Sequence, residues 1–106
     1  MGAFPDWQSL RNPVLSLDTW SLKDACVLYH EGLFHIFTSA FNEERSTLAY
    51  ITTPDWQHFS DFQLHLTGDS LQATGVCSPS ILEADDQFVL TFNTWGQGDC
   101  NQLYAM

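Results

Sequence analysis

The chain has 106 residues, with 3 Lys and Arg against 13 Asp and Glu, so its formal net charge is −10. An acidic chain repels the phosphates of nucleic acids and of anionic membrane surfaces, so neither is expected as a partner. The 44% of hydrophobic residues, among them 8 Phe and 4 Trp, exclude a disordered acidic tail and predict one folded domain over residues 1–106.

Helical periodicity is almost absent, and β-branched and aromatic runs recur between turn-forming clusters, which predicts an all-β fold. The first strand is expected over Ala25–Tyr29. It should be covered on both faces, because its apolar residues do not alternate with polar ones. A tight turn at residues 30–32 follows, in which Gly32 takes a positive φ. Further strands are predicted over Leu33–Ala40, Thr47–Thr52 and Gln63–Leu66.

The same order of elements begins again at a constant offset of 54 residues. The matched pairs include Gly32 and Asp86, Phe34 and Phe88, Phe41 and Trp95, and Tyr50 and Tyr104. A second repeat has an offset of 49, since the Pro-Asp-Trp-Gln of residues 5–8 recurs at residues 54–57. At that offset Val14–Leu17 falls on the predicted strand Gln63–Leu66.

These repeats divide the chain into an outer strand of one unit over 5–17, a complete four-stranded unit over 23–66 and three strands of another over 77–106. Four-stranded antiparallel units of about 50 residues are typical of β-propeller blades. The sequence therefore predicts about two blades, completed by oligomerisation. The same strands are also compatible with a twisted sandwich or a half barrel.

The segment 23–37, which reads Lys-Asp-Ala-Cys-Val-Leu-Tyr-His-Glu-Gly-Leu-Phe-His-Ile-Phe, resembles a blade of the five-bladed β-propeller glycosidases. That group contains arabinanases, xylosidases and invertases, in which an Arg-Asp-Pro or similar triplet opens the inner strand. Residues 49–56, Ala-Tyr-Ile-Thr-Thr-Pro-Asp-Trp, are similar to the end of the third strand in that group. Residues 75–82 resemble the segments that open another blade there.

The resemblance implies a site of carboxylates from different blades, because glycoside hydrolysis needs a carboxylic acid as proton donor and a carboxylate as nucleophile or base. Asp24 matches the Asp of the triplet, although Lys23 and Ala25 stand in place of Arg and Pro. Ser78, at the equivalent place in the second unit, is not a carboxylate. Asp24 is thus the one candidate catalytic residue among three expected acids. The alternative is a strand-edge carboxylate that pairs with Lys23 or Arg11.

The substrate-binding candidates are Phe41, Ser78 and Trp95, which an up-and-down blade places on the same rim as Asp24. Sugars stack their C–H faces on aromatic rings, and acidic residues accept hydrogen bonds from sugar hydroxyls. This pattern predicts a site for a neutral oligosaccharide. Packing of Phe41 and Trp95 between neighbouring blades is the alternative.

These observations favour a carbohydrate-binding or vestigial glycosidase-like module. One alternative is a glycoside hydrolase for arabinosides, xylosides or fructosides whose site is assembled from several chains, and another is a structural interaction domain. Open blades expose strand edges and apolar faces, so self-association is expected. In the predicted homo-oligomer, residues 5–17 of one copy complete the C-terminal blade of another by strand exchange.

The three cysteines, Cys26, Cys77 and Cys100, lack Cys-x-x-Cys spacing, so neither disulfides nor a metal site is predicted. The four histidines also lack the spacing of metal ligands and are expected to be surface or hydrogen-bonded residues. No basic segment precedes an apolar run, and no run of about 18 apolar residues occurs. We therefore expect a cytoplasmic protein without a cofactor.

Overall fold

The computed structural model describes residues 6–66, 75–95 and 103–105. These ranges contain seven strands and no helix, so the predicted all-β class is confirmed. The strands are β1 (Ser21–His30), β2 (Leu33–Phe41), β3 (Ser46–Thr53), β4 (Gln63–Leu66), β5 (Gly75–Ala84), β6 (Gln87–Trp95) and β7 (Leu103–Ala105). The bounds of β4 are those predicted from the sequence, whereas β1 begins four residues earlier.

All seven strands belong to one mixed sheet, in which β1, β2, β3, β5, β6 and β7 follow one another and β4 also pairs with β3. We call β1–β4 the first unit and β5–β7 the second unit, because each is an antiparallel run. A parallel pairing of Ser46 with Gly75 links the two units. Most of each unit's backbone pairing is therefore local.

The strand bounds repeat at the offset seen in the sequence. β5 begins and ends 54 residues after β1, and β6 begins and ends 54 residues after β2. The register repeats too, because Ser21 pairs with Phe41 and Gly75 pairs with Trp95. The first hairpin of each unit is thus built in the same way from two different sequences.

Two-residue turns close these two hairpins. Glu31 and Gly32 have φ angles of 51° and 84°, and Asp85 and Asp86 have φ angles of 51° and 60°. Positive φ at both central residues gives the type I′ turn, whose twist matches that of the flanking strands. Glycine adopts this region readily, and aspartate visits it more often than most residues do. The positive φ predicted for Gly32 is confirmed.

The core lies between the two units. Its buried residues are Phe37, Leu48, Val76, Leu90 and Phe92, with Cys26, Tyr50 and Ile81 packed against them. Phe37 lies opposite both Cys26 and Tyr50 in the ladder, so these three side chains share one face of the first unit. We call this the front face, and the face with Val27 and Ile36 the back face.

The same two faces are defined in the second unit by the 54-residue offset. Ile81 and Leu90, which lie opposite each other, correspond to Val27 and Ile36 and therefore belong to the back face. Since Leu90 is in the shared core with Phe37, the back face of the second unit packs on the front face of the first. The two units thus meet head to tail.

β1 is not covered on both faces, contrary to the prediction. On its back face Val27 and Tyr29 are 43% and 45% exposed. On its front face Cys26 and Leu28 are half-buried towards the second unit. A strand is covered on both sides only where a layer packs on each side, and an apolar sequence alone does not supply that layer.

The predicted strand Val14–Leu17 is also absent, since residues 14–17 carry no strand pairing. Val14 and Leu15 instead line a groove on the back face of the first unit, beside Ile36 and Trp56. A strand needs a hydrogen-bonded neighbour. The neighbour predicted for this segment belongs to another copy of the chain, and none of the described strands of the same chain pairs with it.

Candidate functional site

Two clefts lie between the front face of the first unit and the second unit, at opposite ends of the strands. One cleft has a volume of about 380 Å³ and lies where β1 and β5 begin. We call it the bulge-end cleft, because both of these strands contain a β-bulge near it. It is lined by Lys23, Ser39, Phe41, Asn42, Glu43, Glu44, Arg45, Ser46, Cys77 and Ser78. Of the four predicted site residues, Phe41 and Ser78 line this cleft. Asp24 lines the groove on the back face of the first unit and is joined to the cleft by its hydrogen bond with Ser78.

Matched β-bulges shape this end of the sheet. The ladder between β1 and β2 shifts between Lys23 and Cys26, and the ladder between β5 and β6 shifts between Cys77 and Ser80. Within the bulges, Asp24 has a φ of 56° and Ser78 a φ of 55°. A positive φ is uncommon for residues other than glycine, and bulges redirect side chains that a regular strand would alternate.

The bulges bring Asp24 and Ser78 together although they lie 54 residues apart in the chain. The Ser78 hydroxyl donates a hydrogen bond of 3.3 Å to Oδ2 of Asp24. The Ser78 backbone N–H donates to the hydroxyl oxygen of Ser39 at 2.7 Å, which holds the bulge of β5 against β2. Asp24 is exposed and Ser78 half-buried, so the pair is accessible to solvent.

Phe41 forms the apolar part of the bulge-end cleft. Its ring is half-buried, and Nζ of Lys23 lies 5.9 Å from the ring centroid. Beside it, the Ser46 hydroxyl donates to the backbone carbonyl of Val76 at 2.8 Å, which ties β3 to β5 below the cleft. The cleft therefore combines an aromatic ring, hydroxyl groups and charges of both signs.

Trp95 lies at the same end of the sheet by its backbone. It pairs with Gly75, which in turn pairs with Ser46, the register partner of Phe41. Its side chain lies outside the described part of the structure, as does Cys100. The backbone thus places Trp95 in the row of residues that borders the bulge-end cleft.

Sequence reasoning named no site residue in the loop after β2, which holds Glu43, Glu44 and Arg45. They are exposed, and they line the bulge-end cleft together with Lys23. Asn42 organises the loop, because its side-chain oxygen accepts the backbone N–H groups of Glu44 and Arg45 at 2.9 and 3.0 Å. The predicted strand order could have placed this loop near the site. In an antiparallel sheet the β2–β3 turn lies at the end of the sheet where β1 begins.

The hairpin-end cleft, of about 460 Å³, lies at the opposite end of the strands. It is lined by Leu28, His30, His35, Phe37, Tyr50, Gln63, Ile81 and Phe88. His35 Nδ1 and the Tyr50 hydroxyl share a hydrogen bond of 2.7 Å, and burial raises the pKa of Tyr50. The His30 ring meets that of Phe88 edge-on, with centroids 4.9 Å apart. The polar and aromatic groups of this cleft thus make hydrogen bonds and ring contacts with one another, and we interpret the cleft as mainly a result of packing between the units.

Within the described residues, no group of three or more His, Cys, Asp or Glu side chains is arranged to hold a metal ion. Cys26 and Cys77 are free thiols, and burial raises the pKa of Cys26, which keeps it protonated at neutral pH. None of the described segments is a helix of the length and hydrophobicity that a membrane crossing requires.

By its fold, the protein is an all-β chain of two repeated units, with clefts between the units. Comparison of the chain with family models, with curated proteins and with solved structures gives no match.

Proposed function

We propose that the chain is a glycosidase-like propeller module that binds a neutral oligosaccharide at the bulge-end cleft and has little hydrolytic activity of its own. The observation that carries this proposal is the contact between Asp24 and Ser78, 3.3 Å across two matched bulges at the mouth of that cleft. Residues held at uncommon backbone angles cluster at ligand sites, because the surrounding structure must hold them there.

The chemistry of the cleft suits a polyol. Phe41 offers an apolar ring for stacking, and Asp24 accepts hydrogen bonds from hydroxyl groups. The Lys23 ammonium lies over the Phe41 ring, so a stacking sugar displaces it. An exposed cation–π contact contributes only about 0.5–1 kcal/mol, which is a small cost for that displacement.

The same geometry argues against efficient hydrolysis. Ser78 stands where a second unit would offer another inner-strand carboxylate, and a serine cannot replace a general acid of suitable pKa. Glu43 and Glu44 line the cleft, but both are exposed and lie in the loop after β2 instead of on an inner strand. Their presence at the cleft is the observation that favours the second candidate, a hydrolase whose site is completed by another chain.

Isothermal titration with arabino-, xylo- and fructo-oligosaccharides tests the proposal. We expect one of them to bind with an affinity of about −4 to −6 kcal/mol, in the millimolar to high micromolar range. Phe41→Ala and Asp24→Asn should each weaken binding by about tenfold or more, since each removes one recognition contact. Phe88→Ala is the matched control, because it truncates an exposed aromatic at the opposite cleft.

Absence of binding to the whole panel overturns the proposal, as does equal loss of binding in the Phe41 and Phe88 variants. Assays on aryl arabinosides, xylosides and fructosides distinguish the second candidate. Slow or undetectable release of the phenol is the expected result. Rapid turnover that Asp24→Asn abolishes would instead establish a hydrolase with its second acid supplied elsewhere.

A further inference from the structure

Because the back face of the second unit packs on the front face of the first, one back face and one front face remain uncovered among the described residues. The back face of β1 and the front face of β5 have no such cover within the described chain, and their residues are exposed. A contact that joins two different surfaces can be repeated indefinitely, and it closes into a ring when the rotation allows.

Exposed apolar side chains mark both open surfaces. Val27 and Tyr29 on the back of β1 are 43% and 45% exposed, and Leu82 on the front of β5 is 51% exposed. At the 54-residue offset Leu82 corresponds to Leu28, and Val27 corresponds to Ile81. Leu28 and Ile81 line the same cleft between the units. The two open surfaces therefore carry the equivalents of two residues that border one cleft inside the chain.

We propose that a second copy of this chain docks between these surfaces, with Leu82 of one copy on Val27 and Tyr29 of the next. The contact repeats the placement of Leu28 and Ile81 on facing sides of the cleft between the units. It differs from strand exchange, because it joins faces rather than edges. It also does not depend on sugar binding.

The chemistry of both surfaces suits a buried contact between like-charged chains. The front positions of β5 beside Leu82 are Ser80 and Ala84, and those of β6 are also uncharged. The back positions of β2 beside Val27 include Phe34 and Ile36, again uncharged. The strand positions at the centre of the contact are therefore uncharged, although each copy has a formal net charge of −10. The long-range repulsion is screened by salt, so added salt should strengthen the association.

An aromatic row extends the open surface of the first unit. The rings of Tyr29 and Phe34 have centroids 4.8 Å apart, and those of Phe34 and Trp56 are 5.5 Å apart. Exposed aromatic side chains backed by buried ones are typical of the centre of protein interfaces. Val14 and Leu15 lie along the same back face and would border the docked copy.

Light scattering after size exclusion, at about 50 µM chain and physiological salt, tests the proposal against the 12.0 kDa mass of one chain. The wild type should form a discrete assembly of two or more copies. Leu82→Glu blocks one surface and Val27→Glu blocks the other, so each variant alone should be a monomer. An equimolar mixture of the two variants should recover a one-to-one pair, because one intact surface of each kind remains.

Trp7→Glu is the matched control, since Trp7 is 65% exposed and is not one of the strand residues that form the two open surfaces. It should leave the mass of the assembly unchanged. Circular-dichroism melts should show all three variants folded, because the substituted side chains are exposed. A monomeric wild type, or a mixture of Leu82→Glu and Val27→Glu that remains monomeric while the wild type assembles, overturns the proposal.

Discussion

The two units share a backbone plan but differ in how their second strands are buried. In β2, side chains on both faces are buried, with Phe34 and Ile36 on the back and Phe37 on the front. In β6 the back-face residues Leu90 and Phe92 are buried, whereas the front-face residue Asn93 is exposed. The first unit has the second unit on its front face and the N-terminal segment along part of its back face. Among the described residues, the second unit is covered on its back face only.

This difference shows that the bounds and register of the strands do not determine which side chains are buried. Thr91 occupies the place of Phe37, and Asn93 occupies the place of Ser39, yet the strand bounds and register are the same. The hairpin depends on its turn and on backbone pairing, which tolerate different side chains. The burial of a face depends on what packs against it.

The largest effect is expected from truncating the same position in the two units. Phe37→Ala should lower the free energy of unfolding by about 3–5 kcal/mol, because it leaves a cavity in the core between the units. Thr91→Ala should cost about 1 kcal/mol or less, since it loses only a long hydrogen bond of 3.4 Å to the Ser80 carbonyl. Urea unfolding of both variants measures the difference, and equal losses would contradict the asymmetry.

The turns give a smaller test, with effects of opposite sign. Gly32→Ala places a Cβ at a φ of 84°, so it should destabilise the chain by about 1 kcal/mol even though the surrounding space is open. Asp86→Gly relieves a φ of 60° and should be neutral or stabilise by about 0.5 kcal/mol. Thermal melts of the two variants check the signs. Destabilisation by Asp86→Gly would show that its side chain makes a contact that outweighs the backbone strain.

The two Pro-Asp-Trp-Gln copies provide the smallest and most local comparison. Asp55 accepts hydrogen bonds from the backbone N–H groups of Gln57 and His58 at 2.9 and 2.8 Å and contacts the His58 ring at 2.7 Å. These interactions lower the pKa of Asp55 to about 2. Asp6, at the equivalent position, accepts from the backbone N–H of Gln8 at 3.2 Å.

A carboxylate whose pKa is lowered by folding stabilises the protein above its unfolded pKa, near 4, and loses that contribution as the pH falls towards 2. The melting temperature of the wild type should therefore fall between about pH 4 and pH 2. Asp55→Asn should remove part of this fall. Melting curves at several pH values, with an NMR titration of the Asp55 carboxyl, measure the effect. An identical pH profile in wild type and Asp55→Asn would contradict the assignment.

Local sequence was sufficient for the strands and turns. The apolar runs predicted the interior of β1, β2 and β3, and the position of Gly32 predicted its positive φ. The repeat at an offset of 54 in the sequence recurs in the strand bounds and register. These features follow from side-chain patterning and from the backbone preferences of single residues. Both can be recognised in the sequence without knowledge of the tertiary structure.

The sequence was insufficient for the bulges and for the contact they create. Nothing in the residues around Asp24 and Ser78 marks a shift of register, and neither position is the glycine that a positive φ usually indicates. The repeat at an offset of 54 placed the two residues at equivalent positions, but the 3.3 Å hydrogen bond between them depends on how the units pack. The acidic loop residues beside the bulge-end cleft were missed for the same reason.

The sequence by itself determined the all-β class, the order of the strands and the two turns, because these depend on interactions between near neighbours in the chain. Tertiary structure alone decided which face of each strand is buried. The apolar run around Val27 predicted cover on both sides, yet Val27 remains exposed, and Val14–Leu17 formed no strand. Burial and strand pairing require a second surface, and whether that surface is present depends on the packing of segments distant in the chain.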